Sequence, residues 1–466
     1  MSSLFFLFLI FRITTAYDTG LHSPSVISAG PTYGSYKFNV LHHLAGISLY
    51  FESNAEELSP DPPEGCTVDK AIYQVRHGAI YVNEYDFTQT IRPFLQRMKS
   101  SSKDIDFKSN DLAFLANWTS PISNSEEQVA QVSKLGFLES FSLGTRLAYR
   151  YPHLIPTKKD ISFKLWGSDS NRTRHSADAL FAGLYAGRET IGRMVVVSED
   201  LIQGADTLTP TKTCPKFDVT TGTKQADIWL EHYTVPTIAR LNAKVSGFRF
   251  SPYDVLAMQE LCGYETISRG SSPLCGIFTT DEWLSFEYYF DIKYYYELGY
   301  GSNLSPSLGM PWVVATSDLL SRTNSKDQHL YISVSHRQIP PLILTALGLY
   351  NDSEYFTTPN FNSPLPNDRI NYQRAWKTSS FITFLGQIAL ERLTCTSAAY
   401  NGSFVRILVS SIPKRLPGCE SGPGASCPLK QYRKYVMERN GLYERFSRAC
   451  GVEDKNVPDV LSIFVK

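Results

Sequence analysis

Three times along this chain a short apolar run ends in a turn rich in basic or imidazole side chains, and a pattern of helical period follows. The runs are "KAIYQVRHGA" around Arg76, "FKLWGSDSNRTRHSADALFAG" around Arg172 and "LYISVSHRQIPPLILTALG" around His336. Alternating or continuous apolar runs of this length read as strands, and the segments after the turns read as helices. Strand, polar turn and helix in repeated succession predict an α/β fold whose functional groups gather beyond the carboxyl ends of the strands. Pro340 and Pro341 suit the start of a helix, where their missing N–H groups cost nothing. "SEEQVAQVSKLGFLESFSLGTRLAYRYPHL" has helical periodicity that stops before Pro152, and "SFVRILVS" reads as another strand.

Between the second and third units the pattern from Ala226 to Tyr300 is mostly helical. It includes the aromatic-rich "DEWLSFEYYFDIKYYYELGYG", which reads as a helix packing its tyrosines into a core. The expected organisation is therefore an α/β core domain over 17–200 and 325–466, interrupted by a mostly helical insertion over 201–324. Residues 1–16 contain the eight-residue apolar run Leu4 to Phe11, too short to span a bilayer, with Thr14 and Ala16 behind it. That predicts a secretory leader, although Arg12 follows the apolar run instead of preceding it.

Lys plus Arg and Asp plus Glu are both 45, so no overall charge directs the chain to nucleic acid or to an anionic membrane. The expected ligand is a small molecule, with the oligomeric state left open. The eight cysteines, at 66, 214, 262, 275, 395, 419, 427 and 450, form no CxxC pair and no zinc-like spacing. No metal or cofactor is expected. An even number of cysteines beside a leader predicts disulfides in an oxidising compartment, and spacing alone leaves about 105 pairings open. Asn117, Asn171, Asn303, Asn351 and Asn401 head Asn-x-Ser/Thr triplets, so the expectation is a secreted or lumenal glycoprotein.

The blocks "PPEGCTVDKAIYQVRHGA", "SDSNRTRHSADALFAG", "LGYGSNLSPSLG", "SVSHRQIPPLILTALGLYN" and "AWKTSSFITFLGQIALERLTC" resemble, in order, those of histidine acid phosphatases, especially the fungal phytase-like branch. The resemblance runs from about residue 30 to the C-terminus. It implies a histidine-acid-phosphatase-like α/β domain with a helical insertion, and disulfides Cys66–Cys395, Cys214–Cys450, Cys262–Cys275 and Cys419–Cys427. In that family an Arg-His-Gly-x-Arg-x-Pro loop provides a nucleophilic histidine, arginines hold the phosphoryl oxygens, and a His-Asp pair provides a second histidine and the acid that protonates the leaving group. Carried over, Arg76 and His77 match the first arginine and the nucleophile. Arg172 matches a later arginine, with Arg174 as an alternative, and His336 matches the second histidine.

The departures fall on the chemistry. Ile80 stands where the loop has its second arginine, Val82 where it has proline, and Arg337 where it has the aspartic acid. Loss of a general acid removes about 10²–10⁴ in rate, and a guanidinium cannot replace it as a proton donor. Gln338 is no acid either, while Asp281 and Glu282 remain candidates for a substitute. Read from these changes, His77, His336 and Arg337 are the catalytic candidates, and Arg76, Ile80 and Arg172 line a pocket that is part cationic and part apolar. The first expectation drawn is a non-hydrolytic fungal natural-product cyclase of secondary metabolism. It would be a hetero-Diels–Alderase joining a quinone methide, from a tropolone or phenol, to a terpenoid alkene, with the arginines polarising an oxygen. The alternatives are an acid phosphatase or phytase of weak or altered activity, and a binding protein without turnover. The plainest readings are that His77 and His336 only pack the fold, and that Arg172 and Arg337 pair with carboxylates of the insertion. His42 and His43 read as structural.

Overall fold

The computed structural model describes residues 38–52, 58–107, 110–157, 163–186, 191–324, 327–352 and 365–466. The expected leader, 1–16, lies outside them. An eight-stranded mixed sheet forms the centre. Its strands are β1 (Cys66–Arg76), β2 (Lys164–Ser168), β3 (Arg193–Val197), β4 (Leu330–Ser335), β5 (Gln387–Thr396), β6 (Asn401–Val409), β7 (Ile412–Lys414) and β8 (Cys427–Pro428). They lie in the order β8-β6-β5-β1-β4-β2-β3, with β7 also paired to β6. The pairs β1–β4, β4–β2 and β2–β3 are parallel, while β5 runs antiparallel to β1. The carboxyl ends of β1, β4, β2 and β3 therefore lie along one edge, and each feeds a polar turn there.

Helices α1 (Lys134–Arg150) and α2 (Asn171–Tyr185) cover one face. Ala71, Tyr73 and Val75 of β1 pack there with Leu143, Leu147, Leu180 and Leu184. Ile72, between them, packs on the opposite face in the larger core with Trp166, Leu342 and Ile343, as the two-residue period of a strand requires. Burial on both faces explains why β1 reads as a nearly continuous apolar run. The helices α3 (Thr221–Lys244), α4 (Pro252–Arg269), α5 (Thr280–Leu298) and α6 (Ser305–Ser321) lie between β3 and β4, and α7 (Ile339–Leu347) follows β4. Trp283, Phe286, Tyr288, Phe290 and Tyr294 of α5 are buried in that larger core.

The helical reading of "SEEQVAQVSKLG" differs from the structure. Ser125–Gln128 forms one turn, the chain then leaves the helix, and α1 begins at Lys134. The interval is used in bridges, Val129 with Val82 and Val132 with Ile80, so tertiary pairing overrides the local period. The eight cysteines form Cys66–Cys395, Cys214–Cys450, Cys262–Cys275 and Cys419–Cys427. The first staples β1 to β5 where Cys66 and Cys395 are paired residues of the ladder. Four disulfides fit a secretory route, and no helix of the described residues is long and apolar enough to cross a membrane. Asn117, Asn171, Asn303, Asn351 and Asn401 are all exposed.

Candidate active site

The site begins one residue beyond β1. The amide of His77 donates to Ser335 O at 2.8 Å and the amide of Leu385 donates to His77 O at 3.3 Å, so the loop is sewn to the strand before His336 and to the segment entering β5. Gly78 is required by close approach: a Cβ there would lie 2.5 Å from Gly136 O on α1, and a Cβ on Gly136 would lie 2.1 Å from Ala79 O. The Gly78 amide donates to Ser176 Oγ at 2.9 Å, and Ser176 in turn donates to Arg172 O at 2.7 Å. One serine on α2 thus couples the histidine loop to the turn that carries Arg172.

His77 is 3% exposed, and its Nδ1 lies 2.9 Å from Gly78 O. A carbonyl only accepts, so Nδ1 carries the hydrogen and Nε2 keeps its lone pair. Burial, reinforced by Arg76, Arg172 and His336, holds the ring well below the usual histidine range, which leaves it unprotonated in mild acid. The ring of His336 is 5.7 Å from that of His77 between centroids. His336 Nε2 is 2.9 Å from Glu199 Oε1, and its Nδ1 is buried with no hydrogen-bond partner among the described residues. Burial, against the pull of the Glu199 hydrogen bond, takes His336 down to about 4. Glu199 also pairs with Lys212; burial opposes its charge, but His336 and Lys212 outweigh that and bring it to about 2.

Arg76 is fixed by donation from Nη1 to the carbonyls of Gly46 and Ile382, with its guanidinium 4.0 Å above the Phe384 ring. Burial, with Arg337 and Arg172 nearby, lowers it to about 9. Arg172 is half-buried and lowered by burial and Arg337, against Glu199. Arg337 is 7% exposed, and its guanidinium lies 5.5 Å from the Tyr294 ring centroid. Burial opposes its charge, yet Tyr294, Asp86, Glu297 and Tyr264 outweigh burial and keep it protonated. It makes no hydrogen bond or ion pair among the described residues.

The structure thus brings Arg76, His77, Arg172, His336 and Arg337 to one end of the sheet. Arg174 instead pairs with Asp169 and Asn171 at the surface. Ile80 is fully enclosed in the larger core, its backbone bridged to Val132. Asp281 is exposed, and Glu282 caps α5 and pairs with Arg240, so neither serves the site. His42 stacks on Phe51 and His43 bonds Glu287, away from His77. The sequence reading missed Glu199. Its signal was position: an acidic residue two places after a valine-rich run in the same sheet.

This arrangement presents a neutral imidazole nucleophile among cations suited to phosphoryl oxygens. Residues 76–410 match the family model of the histidine phosphatase superfamily (branch 2). The chain is 27% identical to the acid phosphatase PHO1 of Komagataella pastoris, covering 92% of this chain and 90% of the relative. It is 26% identical to the phytase PHO112 of Candida albicans, with the same coverage. The crystal structure of the phytase from D. castellii superposes with a TM-score of 0.82 at 22% identity, covering 94% of this chain and 93% of that one, and confirms the fold. These relatives correct the expectation of a natural-product cyclase. They carry names of hydrolases, and Ile80, one of the two substitutions that motivated it, is sealed in the core. With residues 76–410 matched, this chain belongs to the histidine phosphatase superfamily, branch 2.

Proposed function

We propose that the protein is a phosphomonoesterase of altered specificity that works through a phosphohistidine at His77. The observation that carries this reading is the His77 imidazole: Nδ1 donates to Gly78 O, so the lone pair at Nε2 is free in a ring that stays neutral in mild acid. Nε2 attacks phosphorus, and the ester P–O bond breaks with its electron pair on the leaving oxygen. Water then attacks the phosphorylated histidine, returning the pair to Nε2 and releasing inorganic phosphate. Arg76 and Arg172 hold the phosphoryl oxygens, and His336, braced by Glu199, stands beside His77. The substrate is a small phosphate ester, with no role for nucleic acid or membrane. The chain is secreted or lumenal, its leader at 1–16 removed and its exposed sequons glycosylated.

The test is turnover of 4-nitrophenyl phosphate in mild acid by wild type and His77→Ala, with mass spectrometry of the acid-quenched or base-quenched enzyme for a phosphorylated His77 peptide. Turnover lost in His77→Ala, with phosphate found on His77 in the base-quenched sample, is the expected result. Phosphate binding without any turnover makes the protein a binder and refutes the proposal.

A further inference from the structure

Among the described residues, no neutral acid is hydrogen-bonded to the His77 and His336 rings. Glu199 is ionised and already accepts from His336 and Lys212. Arg337 is a buried cation with no hydrogen bond among the described residues, near Arg76 and over the ring of Tyr294. A guanidinium has no acceptor and keeps its proton, so it cannot protonate a departing alkoxide. It can stabilise an oxygen that departs as an anion.

The surroundings are aromatic. Phe384 packs against both Arg76 and His77, and Tyr294 against Arg337. Glu260, which feels the charge of Arg337, also lines a cavity with Tyr85, Tyr253, Tyr289, Leu256 and Lys293. From these observations we infer that the site selects its substrates by leaving group. It takes phosphate monoesters of acidic hydroxyls, phenols and enols, and Arg337 receives the negative charge that develops on the departing oxygen.

This rests on the hydrolytic reading above. In the step, the P–O electron pair leaves as phenolate or enolate against Arg337, and the anion takes its proton from solvent after release. Alkyl phosphates, whose alkoxides need protonation as they leave, react poorly. Loss of general-acid assistance is worth about 10²–10⁴, so kcat/KM for 4-nitrophenyl phosphate should exceed that for 2-glycerophosphate by about 100-fold or more.

The experiment measures kcat/KM for a series of similarly sized substituted phenyl phosphates, with 2-glycerophosphate and phytate. The enzymes are wild type, Arg337→Gln, Arg337→Lys and Glu297→Gln. Glu297 is the competing donor: it is buried near Arg337, both its oxygens lack a hydrogen bond among the described residues, and burial raises it to about 7. The expected result is a steep dependence on phenol acidity in wild type, steeper still in Arg337→Gln, with the wild-type slope recovered in Arg337→Lys. Comparable turnover of 2-glycerophosphate and 4-nitrophenyl phosphate overturns the inference and leaves the hydrolytic reading intact. So does an unchanged slope in a folded Arg337→Gln, judged by an unaltered near-ultraviolet circular dichroism spectrum. So does alkyl phosphate turnover that disappears in Glu297→Gln. No turnover of any phosphate by wild type overturns both readings.

Discussion

Gly78→Ala isolates how the fold holds its nucleophile. The new Cβ would lie 2.5 Å from Gly136 O and 2.6 Å from Ser140 Oγ, where ordinary contact begins near 3.4 Å. Ser140 can rotate, but Gly136 O belongs to the first turn of α1 and is bound by the helix. The loop must therefore retreat by about 0.9 Å. Gly136 cannot relieve the clash, because its own Cα already sits against Ala79. Overpacking of this kind costs about 1–3 kcal/mol. The retreat carries His77 with it and weakens the Gly78 amide bond to Ser176, and a displacement near 1 Å at a reacting group costs about 100-fold. The assay is kcat/KM for 4-nitrophenyl phosphate together with the thermal midpoint. Gly441→Ala is the control: that exposed helical glycine has open space around a new Cβ, and alanine should stabilise there by up to about 1 kcal/mol. Wild-type activity and midpoint in Gly78→Ala would refute the close-approach argument. A lowered midpoint with unchanged kcat/KM would refute its catalytic half.

Two further perturbations test the frame and its pH response. Glu391 is fully buried and accepts from Arg150, Arg406 and Tyr151, so Glu391→Gln leaves two guanidinia without their counter-charge. A loss of about 3–5 kcal/mol is expected from the denaturant midpoint, and a loss below about 1 kcal/mol would show that the network is dispensable. Glu139 is lifted by burial from 4.5 to about 8, against the opposing charge of Arg146. Between those values the unfolded chain releases a proton that the folded chain keeps, so wild-type stability falls as pH rises through this window. Glu139→Gln removes that loss, and its advantage over wild type should grow by up to about 1.4 kcal/mol per pH unit. Equal differences in thermal midpoint at pH 4.5 and pH 8 would contradict the assignment.

What could be read in the sequence followed from periodicity and from the chemistry of turns. Arg76, Arg172 and His336 were visible because each ends a strand signal and opens a helix signal, and parallel neighbours bring such turns to one edge. Glu199 was not visible. It follows a short strand on the sheet's edge, and its partner His336 is 137 residues away, a pairing no local pattern encodes. Ile80 looked like a pocket wall because its neighbours Arg76 and His77 face the site. Its placement depends on a bridge to Val132, within a segment that itself read as helix. Asp281 and Glu282 drew attention as spare acids, but acidic residues three positions into a Thr-capped helix are accounted for by the cap. The cyclase expectation failed for a related reason. Two altered side chains were taken to redefine the reaction, while His77 and the arginines beside it still stand together at one end of the sheet in a chain of the histidine phosphatase superfamily.

Arg337 also has to be understood with its neighbours. Three guanidinia share one buried end of the sheet, and their repulsion contributes to the lowering of Arg76 to about 9. Such a group of cations is stable only if anionic or polarisable partners enter with it. Here they come from outside the sheet. Asp86, held by Tyr264, lies just past the histidine loop, and Glu297 and Tyr294 come from α5. Burial, with Asp86 adding to it, also raises Glu260 far above the usual carboxyl range. A carboxylic acid at position 337 would sit among existing acids and would remove the cation that balances them. The arginine and the acids around it form one electrostatic unit. Arg76 and Arg172 both feel Arg337, so the cations beside His77 are tied to that unit and a change at position 337 reaches them as well.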